Sequence, residues 1–402
     1  MDGGTPNLTL VWLAQGRIRL KQGNAGPRTI ESRFAQGIRE RAVKAQQRHG
    51  WKQHAAGENF LSGAMLWGRQ IRDPAAIPIS ITSLCRGSAP GQVLYSLETN
   101  DLCGILQLED FGAEERRLWN KNDQRLDHLH VSTRGEMACG VRHPFGTANV
   151  AVRLSADSGL SEVTEGDSVD TAPRWIPGES RRLVYQTAGV GRDRHGQFAT
   201  LGPYSIQTLD IDSGELVTLL ENPAHDLLMP QVTADGTLYF IRRPHLTGRE
   251  ISPLRLLKDV FLFPFRLLIA VFHYLQFFAM RYTGKKLSSG GAQSKELDLQ
   301  QMMIWGNMVS AQNAQQPGEE APDLVPRSWE LVRRTPDGQE EVLAKGVLAY
   351  DLVEDGSLVY SNGSAIFLRR PDGQRERLVV ERLIERVVWL DSATPPRTSA
   401  AD

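Results

Sequence analysis

The chain has 402 residues, of which 41% are apolar and 23% charged, so it can bury a sizeable core as one large β domain or as two to three ordinary domains. Its 46 basic and 47 acidic residues leave a formal net charge of −1. Because binding to phosphates usually requires a clear basic excess, this balance argues against nucleic acid as the main partner.

The first residues and the cysteines together indicate a reducing compartment. The start "MDGGTPNLTLVWLAQGRIRL" has an acidic second residue and no long apolar run, so we expect no secretory signal. Cys85, Cys103 and Cys139 are odd in number and lack a close C-x-x-C spacing, which favours neither a disulfide framework nor a zinc site. We therefore expect a cytoplasmic protein.

Three short β-type segments open the chain, "LTLVWL", "RIRLK" and "PRTIE". They are followed by "ESRFAQGIRERAVKAQQRHGWKQ" (31–53), in which Phe34, Ile38 and Val43 form a thin apolar stripe that predicts a basic helix. We assign 33–77 to a helix and loop insertion.

From residue 78 onward one unit recurs. A β-type run follows an Asp-Gly or related turn, as in "TADG" (233–236), and a second glycine turn comes behind it, as in "DIDSG" (210–214). The separations between the second-turn glycines are 47, 55, 124 and 35 residues, for Gly112, Gly159, Gly214, Gly338 and Gly373. Removing one insertion of roughly 80 residues from the longest separation leaves a period near 45, the size of a four-stranded propeller blade.

This pattern predicts an all-β fold, a six-bladed β-propeller over 1–391. The complete units are expected at about 78–120, 127–166, 172–221, 228–346 and 348–381. The closing segment "ERVVWLD" (385–391) has no hairpin after it, so we expect it to complete a first blade with the three N-terminal strands and remove the open edges. Seven blades remain the alternative if "ENFLSGAMLWG" (58–68) forms a degenerate unit. The tail 392–402 is expected to be disordered.

One blade resembles a known family. "LSEVTEGDSVDTAPRWIPGESRRLVYQT" (160–187) is similar to the repeat of TolB-like six-bladed β-propellers, L-T-x-x-x-G-x-x-x-x-P-x-W-S-P-D-G-x-x-I-x-F/Y, and the Ser-Pro-Asp-Gly core is replaced by residues 176–179. The matching residues are Thr164, Gly166, Pro173, Trp175, Pro177 and Tyr185. The resemblance implies the fold but no activity, because this fold hosts transport accessories, peptidase gates and hydrolases alike.

The long segments should share one face of the propeller. Loops between the second and third strands of a blade leave on the same face as the links from blade to blade. The link 33–77, the loop "GVGRDRHGQFATLGPYS" (189–205) and the insertion 245–326 all fall in such places. Long loops gathered on a rigid scaffold are where binding usually occurs, so we expect the functional site there; tolerated surface variation is the alternative.

The most apolar run is "DVFLFPFRLLIAVFHYLQFFAM" (259–280). We expect no transmembrane pass, because the chain must return to the same blade and the charge-free stretch from Leu267 to Met280 is 14 residues, short of the roughly 20 a span needs. At about 100° per residue its polar positions fall within an arc of about 140°. Between Arg249 and Lys295 there are eight basic and two acidic residues. This pattern predicts a basic amphipathic helix.

The helix supplies the candidate binding residues for a membrane or a partner. They are Arg255, Lys258, Phe261, Phe263, Phe265, Arg266, Leu268, Phe272, Tyr274, Phe278, Arg281, Lys285 and Lys286. Three interpretations stay open: in-plane binding to an anionic leaflet, capping of the propeller or a homodimer contact, and a re-entrant hairpin with "LDLQQMMIWGNMVSA" (297–311).

The sequence carries no recognised catalytic motif: it has no G-x-S-x-G, H-E-x-x-H, Walker lysine or C-x-x-C. His128 and His130 stand at i, i+2 on the expected innermost strand of a blade, so their rings should face the same way, with Asp127 and His143 nearby in sequence. A metal site is one interpretation, and ordinary packing between blades is the other. We predict no cofactor.

We therefore expect a non-enzymatic propeller scaffold for protein–protein interaction, docked peripherally on the inner face of a membrane; the sequence names no protein partner. One alternative is a propeller hydrolase or lyase with a metal or polar site at the central pore, and another is a soluble homodimer built on the apolar helix. The inner strands "APRWIP", "LMPQVTA" and "LAYDLVE" supply few carboxylate, Asn or His side chains, which argues against the enzyme.

Overall fold

The computed structural model describes residues 8–41, 44, 79–99, 102–109, 114–178, 180–245, 303–304, 307–308, 321–353 and 355–390. The predictions about residues 45–78, about 246–320 apart from 303–304 and 307–308, and about the tail 392–402 lie outside these residues. The chain divides into two units, one of which is 246–307. At the C-terminal end of that unit the structure describes two short strands, β19 (Met303–Ile304) and β20 (Asn307–Met308), which pair with each other.

The remaining described strands form six four-stranded antiparallel blades, whose strands are called A to D from the inside outward. Four of the blades are separate sheets, whereas blades 3 and 4 are joined into one nine-stranded sheet by a parallel pairing of Ala148 with Val169. Blade 1 has β27 (Ile384–Leu390), β1 (Thr9–Ala14), β2 (Arg17–Gln22) and β3 (Arg28–Ile30). Blade 2 has β4 (Ser80–Arg86), β5 (Val93–Glu98), β6 (Leu102–Glu109) and β7 (Glu114–Asn122). Blade 3 has β8 (Arg125–Val131), β9 (Met137–Arg142), β10 (Ala148–Arg153) and β11 (Ser161–Glu162).

Blade 4 has β12 (Ser168–Trp175), β13 (Arg182–Arg192), β15 (Ser205–Asp210) and β16 (Leu216–Leu220), with β14 (Phe198–Leu201) paired to the end of β13. Blade 5 has β17 (His225–Val232), β18 (Leu238–Pro244), β21 (Glu330–Arg334) and β22 (Glu340–Lys345). Blade 6 has β23 (Ala349–Leu352), β24 (Leu358–Ser361), β25 (Ala365–Arg369) and β26 (Arg375–Val380). The predicted all-β, six-bladed propeller is confirmed.

Asp-Gly turns form the A–B hairpins of blades 5 and 6 for the reason the sequence suggests. Gly236 and Gly356 have φ of +83° and +81°, a conformation that costs a side-chain-bearing residue energy. The preceding aspartates complete the turns: Asp235 Oδ1 accepts a hydrogen bond from Thr237 N at 3.2 Å, and Asp355 Oδ1 accepts one from Ser357 N at 2.8 Å. These turns fix the register of β17 with β18 and of β23 with β24.

The two ends of the chain share blade 1. β1 pairs with β27 in antiparallel register, from Thr9 opposite Leu390 to Ala14 opposite Ile384. The fully buried Trp12 packs in the seam between blades 6 and 1, and its Nε1 donates to Glu381 Oε2 at 2.9 Å. Both termini therefore contribute strands to one blade, as expected. Their pairing prevents β27 and β1 from being unpaired edge strands.

Apolar clusters fill the seams between neighbouring blades. The cluster between blades 1 and 2 centres on Tyr95, the one between blades 2 and 3 contains all three cysteines, and the one between blades 4 and 5 contains Phe240. The cysteines are free thiols, and burial raises the pKa of Cys85 to about 12 and of Cys103 to about 11. They act as small core residues.

The helix predicted from 31 onward is α1, residues 33–41 in the described part of the chain. Ser32 caps it, because its Oγ accepts a hydrogen bond from Ala35 N at 3.0 Å. Phe34 and Ile38 pack against the seam between blades 1 and 2. No helix in the described ranges reaches the length and apolarity that a membrane crossing requires.

On the face of the A–B turns, buried Glu136 joins blades 3 and 4. It accepts hydrogen bonds from Arg181 at 2.8 Å, Arg134 at 3.0 Å and Ser132 at 3.1 Å. Burial raises the pKa of the Glu136 carboxyl, but these donors outweigh burial and hold the pKa below its ordinary value.

Replacing Glu136 with glutamine removes the charge that its donors stabilise, so we expect the free energy of unfolding to fall by about 1.5 kcal/mol at neutral pH. The loss is modest because both arginines are partly exposed and water screens their charges. Since the folded pKa is depressed, this stability is present above the unfolded pKa of about 4.3 and is lost as pH falls through the folded pKa. Urea unfolding should show the wild-type advantage shrinking from pH 7 towards pH 3. The exposed pair of Glu376 with Arg370 is the control: a gap as large for Glu376→Gln would contradict the prediction.

Candidate functional site

The inner strands of all six blades line one small cavity on the propeller axis. Each A strand contributes at least one side chain, and the space has room for a water molecule. One lining residue from each of β4, β8, β12, β17, β23 and β27 is, in that order, Ser83, His128, Ala172, Met229, Tyr350 and Arg386. We call this ring of residues the channel waist.

The backbone at the channel waist is bulged. β8, β12 and β17 each shift register against the next strand at this level, and His128, Ala172 and Met229 have φ of +50°, +53° and +56°. Such conformations are uncommon outside glycine and persist only where the surroundings hold them. Here neighbouring blades hold them, since Ser83 Oγ accepts from Leu129 N at 2.7 Å and Gln186 Oε1 accepts from Met229 N at 2.7 Å.

Asp351 ties four blades together around the axis. Its carboxylate on β23 accepts hydrogen bonds from Arg86 of blade 2 at 3.2 Å, Arg174 of blade 4 at 3.4 Å and the Trp389 amide of blade 1 at 3.0 Å. Three of the inner strands were expected to supply few carboxylate, Asn or His side chains, and Asp351 is the carboxylate that β23 places in this network. The sequence did not reveal that arginines of two other blades converge on it.

The histidines of the candidate metal site both face β12. Burial, with the nearby Arg386, lowers the pKa of His128 to about 4, so the imidazole is neutral at physiological pH. His128 Nδ1 lies 3.0 Å from Thr171 Oγ1, and His130 Nδ1 accepts from Trp175 N at 3.1 Å. These contacts fit packing between blades.

His143, the third residue of the metal hypothesis, lies elsewhere. Its Nε2 is 3.0 Å from Glu162 Oε2, towards the outer part of blade 3. Within the described part of the chain, no group of three or more His, Cys, Asp or Glu side chains is arranged to hold a metal ion. A metal at His128 and His130 stays a sequence-based prediction.

The trio of Thr171, His128 and Asp127 is not arranged as a nucleophile, base and orienting acid. Such a relay uses the two imidazole nitrogens for two different partners. Here Asp127 Oδ1 lies 2.9 Å from His128 Nδ1, the same nitrogen that faces Thr171, and Thr171 Oγ1 donates to Asp127 at 3.0 Å. The threonine hydroxyl therefore has the carboxylate, not the imidazole, as its acceptor.

The strand order puts the B–C connections and the blade-to-blade links on one face, called here the insertion face. The blade 4 connection was expected to be an irregular loop. It is instead largely a β-hairpin, in which Val190 pairs with Leu201 and Gly191 with Thr200. The glycines of this stretch hid its strand character from sequence reasoning.

Two exposed aromatic residues lie on the insertion face. Phe145, in the B–C turn of blade 3, is 74% exposed, and Phe198, in the hairpin of blade 4, is 51% exposed. The Phe198 ring covers Gly146 so closely that a Cβ there would lie 3.1 Å from Cδ2. Both aromatic side chains are therefore accessible on this face, and the Phe198 ring packs against the turn that carries Phe145. No signal in the sequence marked them.

The predicted binding residues from Arg255 to Lys286 lie outside the described residues. The structure does describe both ends of their connection: β18 ends at Pro244 and β21 begins at Glu330. Arg242 and Glu330 are register partners, so the chain leaves and re-enters blade 5 at one place on the insertion face.

No family model and no curated protein matches this sequence. Among solved structures the chain is similar to TolB from Acinetobacter baumannii, at 10% identity over 95% of this chain and 66% of that one, with a TM-score of 0.48. It is also similar to a chain of the Nidogen/Laminin complex, at 8% identity over 96% and 100%, with a TM-score of 0.49. A putative TolB from Agrobacterium tumefaciens matches at 12% identity over 78% and 90%, with a TM-score of 0.42. All three TM-scores are below 0.5, so these matches carry neither a family nor an activity to this chain, and the propeller fold rests on the strand pairing of the chain itself.

Proposed function

We propose that this chain is a non-enzymatic propeller scaffold for protein–protein interaction that docks peripherally to an anionic membrane surface through the amphipathic segment 250–285. The supporting observation is the position of the blade 5 connection. Its two ends are adjacent in the sheet through the pairing of Arg242 with Glu330, so the segment can bind without disturbing the blade.

The exposure of Phe145 and Phe198 also supports the insertion face as the side that docks. Aromatic rings favour the boundary between water and acyl chains, and a second contact point beside an amphipathic helix strengthens peripheral binding. A basic helix adds attraction to anionic lipids at about 1 kcal/mol per residue close to the surface. The face opposite carries only short turns in the described residues.

Flotation with liposomes tests the proposal. The full chain is compared with a variant in which 250–325 is replaced by a short Gly/Ser linker, using vesicles with and without phosphatidylserine. We expect the full chain to float with the anionic vesicles, less so as salt rises, and the variant to stay at the bottom of the gradient. A folded variant that floats as well as the full chain, or a full chain that never floats, would overturn the membrane proposal.

The alternative of a pore enzyme has less support. Asp351 is engaged by two guanidinium groups and an amide, and Asp127 is engaged by Thr171 and by Arg142, whose Nε lies 3.4 Å from its Oδ2. Carboxylates held in this way position strands and are poorly placed to exchange protons with a substrate.

A further inference from the structure

Strand β16, the D strand of blade 4, differs in charge from the other outer strands of the propeller. Its sequence is "LVTLL" and contains no charged residue. The described D strands of the other blades each carry at least one charge, with "EERRLWNKN" in β7, "EEVLAK" in β22 and "RERLVV" in β26. Charges on an edge strand prevent it from pairing with another chain, and β16 lacks this protection.

Three of the four apolar side chains of β16 face solvent, whereas Leu220 packs at the seam between blades 4 and 5. Leu216 is 56% exposed, and Val217 and Leu219 are each 40% exposed. Leu219 is the extra residue of a bulge, and Leu118 and Leu378 occupy the same bulge position in blades 2 and 6. Those two leucines pack against the apolar seams, whereas Leu219 does not. Blade 4 thus turns outward what blades 2 and 6 turn inward.

The backbone of β16 is also available for pairing. Asp210 N donates to Glu215 O at 2.9 Å, and antiparallel pairs alternate between hydrogen-bonded and non-hydrogen-bonded types. Val217, opposite Thr208, therefore directs its amide and carbonyl towards β15, while Leu216 and Thr218 direct theirs away from the sheet. No strand in the described ranges pairs with this outer edge.

We propose that β16 pairs with β16 of a second copy of this chain, antiparallel across a two-fold axis, so that two blades form one continuous sheet. A two-fold interface places the same patch against itself, so the patch must be self-complementary. An uncharged strand that is apolar on both sides of Thr218 meets this condition, because apolar residues face apolar residues and no like charges oppose each other.

A partner with a charged or polar strand would gain hydrogen bonds but would leave these leucines facing polar groups, so a second copy is the better occupant. The association should stop at two copies, since β16 is the one uncharged outer strand among the described blades. The inference is independent of the membrane proposal, because the edge of a blade and the insertion face are different surfaces.

Sedimentation velocity on the full chain, from low to high micromolar concentration, tests the proposal. We expect a concentration-dependent species of twice 44.7 kDa. Val217→Lys should weaken dimerisation at least about tenfold by putting a charge into the apolar edge of each copy. Val342→Lys in β22 is the matched control, because Val342 is 39% exposed but lies in a charged strand, and it should leave dimerisation unchanged.

Thr218→Pro is a second variant, which removes an amide directed away from β15 and so spares the fold. It should weaken the dimer as Val217→Lys does. Hydrogen exchange on the unmodified chain needs no variant: the amides of Leu216 and Thr218 should become more protected as concentration rises. A monomer at every concentration, equal effects of Val217→Lys and Val342→Lys, or a dimer that survives both β16 variants would overturn the proposal; the last would place the contact elsewhere, as in a dimer built on 259–280.

Discussion

Replacing Asp351 with alanine is expected to lower the free energy of unfolding by about 3 kcal/mol, because removing one partner of a buried ion pair leaves the other charge without compensation. Two partly buried guanidinium groups, of Arg86 and Arg174, converge on this one carboxylate. The Trp389 amide would also lose its acceptor. Because these donors come from three other blades, the loss should be felt across the channel and not within blade 6 alone.

Urea unfolding of Asp351→Ala and Asp351→Asn measures this effect. Asparagine keeps an acceptor for the Trp389 amide but removes the charge, so we expect it to lose less than alanine does. The double variant Arg174→Met, Asp351→Ala should lose less stability than the sum of the losses of the two single variants. In the double variant only Arg86 is left without its carboxylate, whereas Asp351→Ala alone leaves both arginines unpaired with it. The exposed pair of Asp212 with Arg181 is the matched control, with an expected loss of about 0.5 kcal/mol for Asp212→Ala. Similar losses for Asp351→Ala and Asp212→Ala would contradict the prediction, because they would mean that hydration, rather than Asp351, stabilises the charges of Arg86 and Arg174.

The blades could be predicted from the sequence because their signals are local. An Asp-Gly pair fixes a tight turn whatever surrounds it, so Gly236 and Gly356 mark hairpins without knowledge of the fold. The recurrence of such turns then gives the length of a blade. The unpaired last strand and the three strands at the start implied a shared blade by the same reasoning, because a propeller with open edges would be unstable.

The ion pairs of Asp351 could not be predicted, because they join residues far apart in the chain. Arg174 and Asp351 are 177 residues apart, and Arg86 and Asp351 are 265 apart. No periodicity reports such a pair; it becomes visible only when six inner strands are arranged around one axis. The positive φ of Ala172 and Met229 was equally hidden, since neither residue type favours that conformation.

Side-chain exposure was the other quantity that the sequence did not give. "LVTLL" reads as an ordinary half-buried strand, and only its comparison with the other D strands shows that Leu216 and Val217 face solvent. Phe145 and Phe198 belong to different blades, so the packing of the Phe198 ring on Gly146, next to Phe145, depends on how blades 3 and 4 sit side by side.

Truncating the chain after Leu383 is expected to abolish cooperative folding. The deletion removes β27, the A strand of blade 1, together with its buried side chains Ile384, Val387, Val388, Trp389 and Leu390. Burial of these side chains contributes on the order of 10 kcal/mol, which is comparable with the whole stability of a typical protein. The loss also exposes the inner edge of β1, with its buried Leu10 and Trp12, as an unpaired apolar strand.

A circular permutant separates the loss of the strand from the loss of chain connectivity. Leu390 and Thr9 are register partners, so a short Asn/Gly linker in place of 391–402 and 1–7 can join β27 to β1 as a hairpin. New ends between Asp372 and Gly373 fall in an exposed turn of blade 6. We expect the permutant to regain the near-ultraviolet circular dichroism and the single unfolding transition that the truncated chain lacks. A truncated chain with the same transition midpoint as the full chain would show that blade 1 contributes little to the ring. A permutant that stays unfolded would show that the pairing of β1 with β27 is insufficient to restore it.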